Sequence, residues 1–277
     1  MNHLIVQGAT IESPLLKDLA KRCGASRIEQ VGAQCFRLSD ARHDPAVAAL
    51  CEEAQLDCAL VPAGRRLAGM GLVVMDMDST FITIECIDEI ADMQGIKPEI
   101  AAITAAAMRG EIDFAESLRR RVSLLSGLPE SALGRVYDER LRLSPGAETM
   151  LSGMRAAGIK SLLVSGGFRF FTERLKQRTG LDFTLSNELE IADGRLTGRV
   201  MGNIVDGQAK AAELVRVRDE LGLAPSQVIA IGDGANDLPM LRAAGVSIAY
   251  RAKPVVRAEA GHAINHCGLD AVLNLFE

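Results

Sequence analysis

Four uninterrupted apolar residues, Leu72-Val73-Val74-Met75, run straight into an acidic pair, Asp76 and Asp78. So short a run without polar alternation fits a strand buried on both faces of a parallel sheet, and parallel strands need long crossovers, usually helices. The later sequence supplies them. Beyond Pro145-Gly146 the patterning predicts helices over 147–157, 168–178, 210–221 and 236–243, with strands over 159–164, 227–231 and 246–249 between them. Gly158 and Gly180 stand where helix C-caps are expected. Asp193-Gly194, between strand-like 188–191 and 195–200, is a two-residue hairpin signal. This alternation predicts an α/β, doubly wound, Rossmann-like sheet with helices on both faces.

Two regions depart from it. Residues 85–142 carry Ala, Glu, Arg and Leu at helical spacing with no strand between them, as expected of helices inserted into the fold as a cap, at about 83–144. Residues 1–68 read as strand 3–7, helix 14–23, strands 27–31 and 34–38, helix 45–53 and strand 57–61. That order predicts a small α+β, ferredoxin-like (ACT-like) N-terminal domain. The segment 61–71, with one Pro, three Gly and two Arg, reads as a linker into a second domain over 69–277.

Composition narrows the function. A formal charge of -5 and a pI near 5.5 argue against a nucleic-acid or anionic-membrane partner, which would need a clustered basic surface. A small-molecule substrate is the expectation, with a homodimer left open. The six cysteines show no C-x-x-C spacing, and no secretory segment opens the chain, so reduced core thiols and a cytoplasmic location are expected.

In open α/β sheets, ligands bind beyond the carboxyl ends of the strands. Three expected strands end in Asp76-Met77-Asp78-Ser79-Thr80, Ser165-Gly166-Gly167 and Gly232-Asp233-Gly234-Ala235-Asn236-Asp237. Alternate side chains on a strand point the same way, so Asp76 and Asp78 can face one ligand. Two buried anions that close call for a cation, and hard oxygen ligands suit Mg2+, with Asp233 or Asp237 completing the site. A phosphate ester adds further negative charge, for which Ser165, the backbone of its glycine turn and Lys210 are candidate partners.

These strings resemble the four motifs of the haloacid dehalogenase-like (HAD) hydrolases, and more narrowly those of the phosphoserine phosphatases. The narrower resemblance rests on Glu85-Cys86-Ile87-Asp88-Glu89, on Phe114 with Ser117-Leu118-Arg119-Arg120-Arg121-Val122, and on Val164-Ser165-Gly166-Gly167-Phe168. It covers roughly residues 72–277 and implies Mg2+-dependent hydrolysis of L-phosphoserine to L-serine and phosphate, the last step of serine biosynthesis. Asp76 would be the nucleophile that becomes an aspartyl phosphate, and Asp78 the acid, then the base. The metal would be held by Asp76, the backbone carbonyl of Asp78 and Asp233, with Asp237 supporting it. Ser165, Gly166, Lys210 and Asn236 would bind phosphate, while Glu85 and Arg121 would bind the substrate's ammonium and carboxylate.

Other features stay structural in expectation. His262 and His266, four apart, lack a carboxylate or cysteine pair to complete a zinc set, and Cys86 has no neighbouring base. Of Arg119–Arg121 only Arg121 has a reason to turn inward. Two alternatives share the sequence: a phosphotransferase passing the phosphoryl group from Asp76 to homoserine or another alcohol, and a regulatory protein centred on residues 1–68.

Overall fold

The computed structural model describes residues 1–277. The N-terminal region forms β1 (Asn2–Gln7), α1 (Ser13–Cys23), β2 (Arg27–Gly32), β3 (Cys35–Ser39), α2 (Pro45–Glu53) and β4 (Asp57–Pro62). The strands pair antiparallel in the order β2-β3-β1-β4, the ferredoxin-like arrangement expected from the element order. Successive side chains of a strand go to opposite faces, and β1 and β4 contribute buried or half-buried residues to both, whereas edge strand β2 is mostly exposed. Leu4 and Val6 pack with Leu16, Leu19, Val47 and Cys51 of the two helices. Ile5, Ala59 and Val61 turn the other way and join Ile248, Leu269, Val272 and Phe276 in the core of the rest of the chain.

That remainder starts with β5 (Leu72–Asp76), followed by the inserted helices α3 (Cys86–Gln94), α4 (Lys97–Met108), α5 (Phe114–Ser123) and α6 (Ser131–Arg135). Then come α7 (Ala147–Ala156), β6 (Lys160–Phe168), α8 (Arg169–Thr179), β7 (Phe183–Ala192), β8 (Arg195–Met201) and α9 (Gly207–Glu220). The chain closes with β9 (Val228–Gly232), α10 (Leu238–Ala243), β10 (Val246–Tyr250), α11 (Pro254–Glu259) and β11 (His262–Ile264). The seven-stranded sheet has the order β11-β10-β9-β5-β6-β7-β8, with only β8 antiparallel. Leu72 and Val74 of β5 face α9, α10 and α11 through Leu214, Leu241 and Val256, whereas Val73 and Met75 face Met150, Phe171 and the C-terminal segment. The doubly wound expectation is met.

After β5 the chain builds outward through β6, β7 and β8, then returns to β9 on the other flank and builds outward again. This reversal makes the carboxyl ends of β5, β6 and β9 the topological switch point, where the crevice of an open α/β sheet lies.

Three local expectations change. β6 does not end at Val164: it continues through Ser165-Gly166-Gly167 to Phe168, with its register against β7 shifting between Val164 and Phe168. β7 begins at Phe183, before 188, because its first residues pair parallel with β6 and only its second half belongs to the hairpin with β8. The 61–71 segment is no free tether. Leu67 N–H donates to the Glu277 carbonyl at 3.2 Å, and Glu277 N–H to that of Arg65 at 2.8 Å. Nearby, the buried Asp57 carboxylate accepts the backbone N–H groups of Asn265 at 2.7 Å and Cys267 at 2.8 Å, and that of His266 between them.

Candidate active site

β5 delivers Asp76 to the switch point with only 6% of its surface exposed. Past it the backbone turns sharply, with Asp78 extended and Ser79 in the left-handed region at φ 57°. A non-glycine residue there stores strain, which the surroundings hold. The Ser79 N–H donates to the Ile84 carbonyl at 3.2 Å, and its hydroxyl donates to Glu85 Oε1 at 2.7 Å. Thus the turn that displays Asp78 also aims Glu85, at the start of α3.

Asp78 is held from two sides. Its Oδ1 accepts the Cys86 N–H at 2.8 Å, and its Oδ2 the Ser165 hydroxyl at 3.3 Å. The β6 tip comes so close that a Cβ on Gly167 would stand 2.7 Å from Asp78 Oδ2, and one on Gly166 2.8 Å from the Phe114 ring. A Cβ at either glycine would force the Phe114 ring or the Asp78 carboxylate to move.

Lys210, 1% exposed on α9, points its ammonium between Asp76 Oδ1 at 2.5 Å and Asp237 Oδ1 at 2.8 Å. Asp237 Oδ2 accepts the N–H groups of Asp233 and Gly234 at 3.2 and 3.0 Å, shaping the loop after β9. Thr80 donates to Asp233 Oδ1 at 3.0 Å, tying the β5 turn to the β9 tip.

Ligand oxygens of Asp76, Asp233 and Asp237 lie within 4.8 Å of one another. One lysine does not neutralise three carboxylates. Burial pushes the Asp76 carboxyl well up, Asp237 adds to this, and Lys210 opposes it. Burial and then Asp237 raise Asp233 to about 6, against the Thr80 hydrogen bond. Burial alone would lower Lys210, but Asp237 and Asp76 outweigh it and hold it charged. Such surplus negative charge on hard oxygens fits a small divalent cation of the Mg2+ type.

Helices α3, α4 and α5 roof a cleft of about 300 Å³ through Glu85, Asp88, Thr104, Phe114 and Arg121, over a floor of Asp76, Asp78, Gly166, Lys210, Asp233 and Asn236. That volume suits a small metabolite. Burial, then Asp78, pushes the Glu85 carboxyl up to about 7, although the residue keeps solvent access at the mouth. Burial pulls the Arg121 guanidinium down, while Asp88, Glu85 and Asp78 support its charge. Arg120 instead pairs with Glu116 on the exposed side of α5.

Every residue that the sequence assigned to the site lies in this cleft or against a residue that lines it. Lys210, expected to bind phosphate, lines the cleft and its ammonium bridges Asp76 and Asp237. The Cys86 N–H, Ser79, Thr80, Asp88, Thr104 and Lys253 were not anticipated as parts of the site. Thr104 and Lys253, single positions on separate elements, carry no spacing signal, whereas Ser79, Thr80, Cys86 and Asp88 lie inside the motif strings without an assigned role. His262 accepts a hydrogen bond from Arg65 at 2.7 Å, far from any metal set.

A doubly wound sheet with an acidic switch-point centre and an inserted helical cap defines a hydrolase of phosphoryl or related groups. The family model described as haloacid dehalogenase-like hydrolase matches residues 73–242, and the chain belongs to that family. Within it the chain falls among the phosphoserine phosphatases. A protein of that name from Polaromonas sp. is 54% identical over 215 residues, covering 76% of this chain and 91% of its own. A HAD family hydrolase from Salmonella enterica superposes with a TM-score of 0.91 at 36% identity, covering 100% of this chain and 99% of that one. A structure described as a phospho-aspartyl intermediate analogue of phosphoserine phosphatase matches at TM-score 0.70 and 36% identity, over 75% of this chain and 99% of that one. A second family model, a domain of unknown function, matches residues 4–48.

Proposed function

We propose that the enzyme hydrolyses phosphoserine to serine and inorganic phosphate, as the last step of serine biosynthesis, through a phosphorylated Asp76. The observation that carries this reading is the cleft's division of labour: a desolvated carboxylate beside a buried lysine on the floor, and Glu85 and Arg121 on the roof. A zwitterionic amino-acid moiety needs one anionic and one cationic partner, and an arginine fork suits its planar carboxylate. Asp76 attacks phosphorus and the serine oxygen leaves with a proton from Asp78; Asp78 then takes a proton from the water that attacks the aspartyl phosphate. Its hydrogen bonds to Cys86 N–H and Ser165 fix the direction of that proton transfer. The β6 tip at Ser165-Gly166, Lys210 and Asn236 bind phosphate, and Lys210 also holds Asp76 in its attacking position.

Asp76, Asp233 and the Asp78 carbonyl would hold Mg2+, with Asp237 orienting the set. When bound, the ion supplies charge neutralisation that lets a carboxylate approach a phosphate. Residues 69–277 constitute the catalytic unit, with the cap over about 83–144, and residues 1–68 a separate N-terminal domain. No helix is long and apolar enough to cross a membrane; we place the enzyme in the cytoplasm.

The test is phosphate release from a panel of phosphomonoesters with Mg2+ and with excess chelator. Phosphoserine should be the preferred substrate, and the chelator should abolish turnover. Full activity without metal would remove the metal assignment, and a flat substrate profile would remove phosphoserine.

A further inference from the structure

Five carboxylates line the cleft, those of Asp76, Asp78, Glu85, Asp88 and Asp233, against only three cations, Arg121, Lys210 and Lys253. Lys210 is sealed between Asp76 and Asp237, and Arg121 is half-buried on the cap, facing Asp88, Glu85 and Asp78. Lys253 is the exposed one of the three; its charge lies near enough to Asp233 to favour that carboxylate, but it forms no close ion pair in the cleft.

Its backbone, however, is anchored at the site. The Lys253 N–H donates to the Asp233 carbonyl at 3.1 Å, so the residue rides on the same β9 tip as the acidic cluster. On its other side Val256 of α11 is buried against the sheet. A fixed stem carrying a free ammonium on a flexible chain is suited to gather an anion from solvent, since lysine acts on phosphate as a compact, mobile point charge. A phosphomonoester brings negative charge to a cleft whose lining is already acidic, and needs a cation on its approach.

We propose that Lys253 is a phosphate-binding residue that receives the ester's phosphate at the cleft mouth and holds inorganic phosphate before release. The inference rests on the phosphatase reading of the cleft, but not on serine as the leaving group.

In the full-length enzyme, Lys253→Met and Lys253→Arg are compared by kcat and KM on phosphoserine and an aryl phosphate, and by competitive inhibition with inorganic phosphate. Lys253→Met should raise both KM values and the phosphate inhibition constant together, roughly 5–20-fold, with a shallower salt dependence of kcat/KM. Lys253→Arg should restore most of the loss. An unchanged phosphate inhibition constant in Lys253→Met overturns the proposal, as does a loss confined to phosphoserine, which would put Lys253 on the serine moiety. Should Lys253→Met fold poorly, Lys253→Gln replaces it, and equal inhibition constants for the Gln and Arg variants overturn the proposal as well. The aryl phosphate separates the two readings: no turnover of phosphoserine alongside a shifted phosphate constant refutes only the substrate assignment.

Discussion

Asp76 and Asp237 share one ammonium in a dry environment, so the carboxylate proposed to attack phosphorus is stripped of water and aimed before substrate arrives. Replacing it with the isosteric amide keeps the packing and removes the nucleophile. Asp76→Asn should therefore lose on the order of 10³-fold or more in kcat on phosphoserine and on an aryl phosphate alike, at a Tm near that of the parent. Arg121 predicts the opposite pattern. A hydrogen bond to a charged group contributes roughly 1.5–3 kcal/mol, so Arg121→Ala should lower kcat/KM for phosphoserine on the order of 10–200-fold and leave the aryl phosphate nearly unchanged. Equal losses on both substrates would show Arg121 supporting the fold or the phosphate site. At this scale Asp76 and Asp233 were legible because each follows an apolar run, and Asp78 and Asp237 because they stand two and four residues further on. Their partners were not: Thr80 meets Asp233 across 153 positions, and Lys210 meets Asp76 across 134, and nothing local marks either pairing.

The elements around the cleft meet with almost no clearance, and the glycines of β6 set that spacing. A Cβ on Gly166 would press 2.8 Å from the Phe114 ring at the start of α5, while the β6 core residues Leu162 to Val164 would be untouched. The cap should then seat imperfectly over the substrate. We expect Gly166→Ala to fold with a similar Tm but to lose up to about 100-fold in kcat/KM, the scale of an ångström misplacement, with the larger part in KM. Unaltered kinetics would mean that α5 does not close on this strand. Helix and strand placement was largely readable, since caps and periodicity are local. The extension of β6 through its glycines was not, because Ser-Gly-Gly reads as a turn until the neighbouring strand supplies hydrogen bonds.

Across the whole molecule, the N-terminal sheet covers apolar surface of the catalytic region instead of hanging beside it. Ile5, Ala59 and Val61 share one core with Val272, Leu275 and Phe276, and Asp57 caps three consecutive backbone N–H groups at 265–267. A fragment of residues 69–277 keeps every proposed catalytic residue, so its folded fraction should retain turnover per molecule. It should also show a lower Tm and bind a hydrophobic dye, having bared that face. Loss of turnover in a folded fragment would give the N-terminal domain a direct part in the site. The same interface predicts acid sensitivity. Burial, then Arg65, pushes His262 down to about 4 from 6.5, so between those values the unfolded chain takes up a proton that the folded chain refuses. Stability should fall as pH drops through that window, by on the order of 2 kcal/mol, and His262→Gln should flatten this part of the denaturation profile. By itself the sequence determined the two sheets, the inserted cap and the acids at the strand tips, because periodicity, turn chemistry and short motifs act over a few residues. Only the tertiary structure decided which charges share Lys210, how Ser79 aims Glu85, where Lys253 stands and that the 61–71 segment is pinned. Those are contacts between distant segments, and their energies exist only once the chain has brought them together.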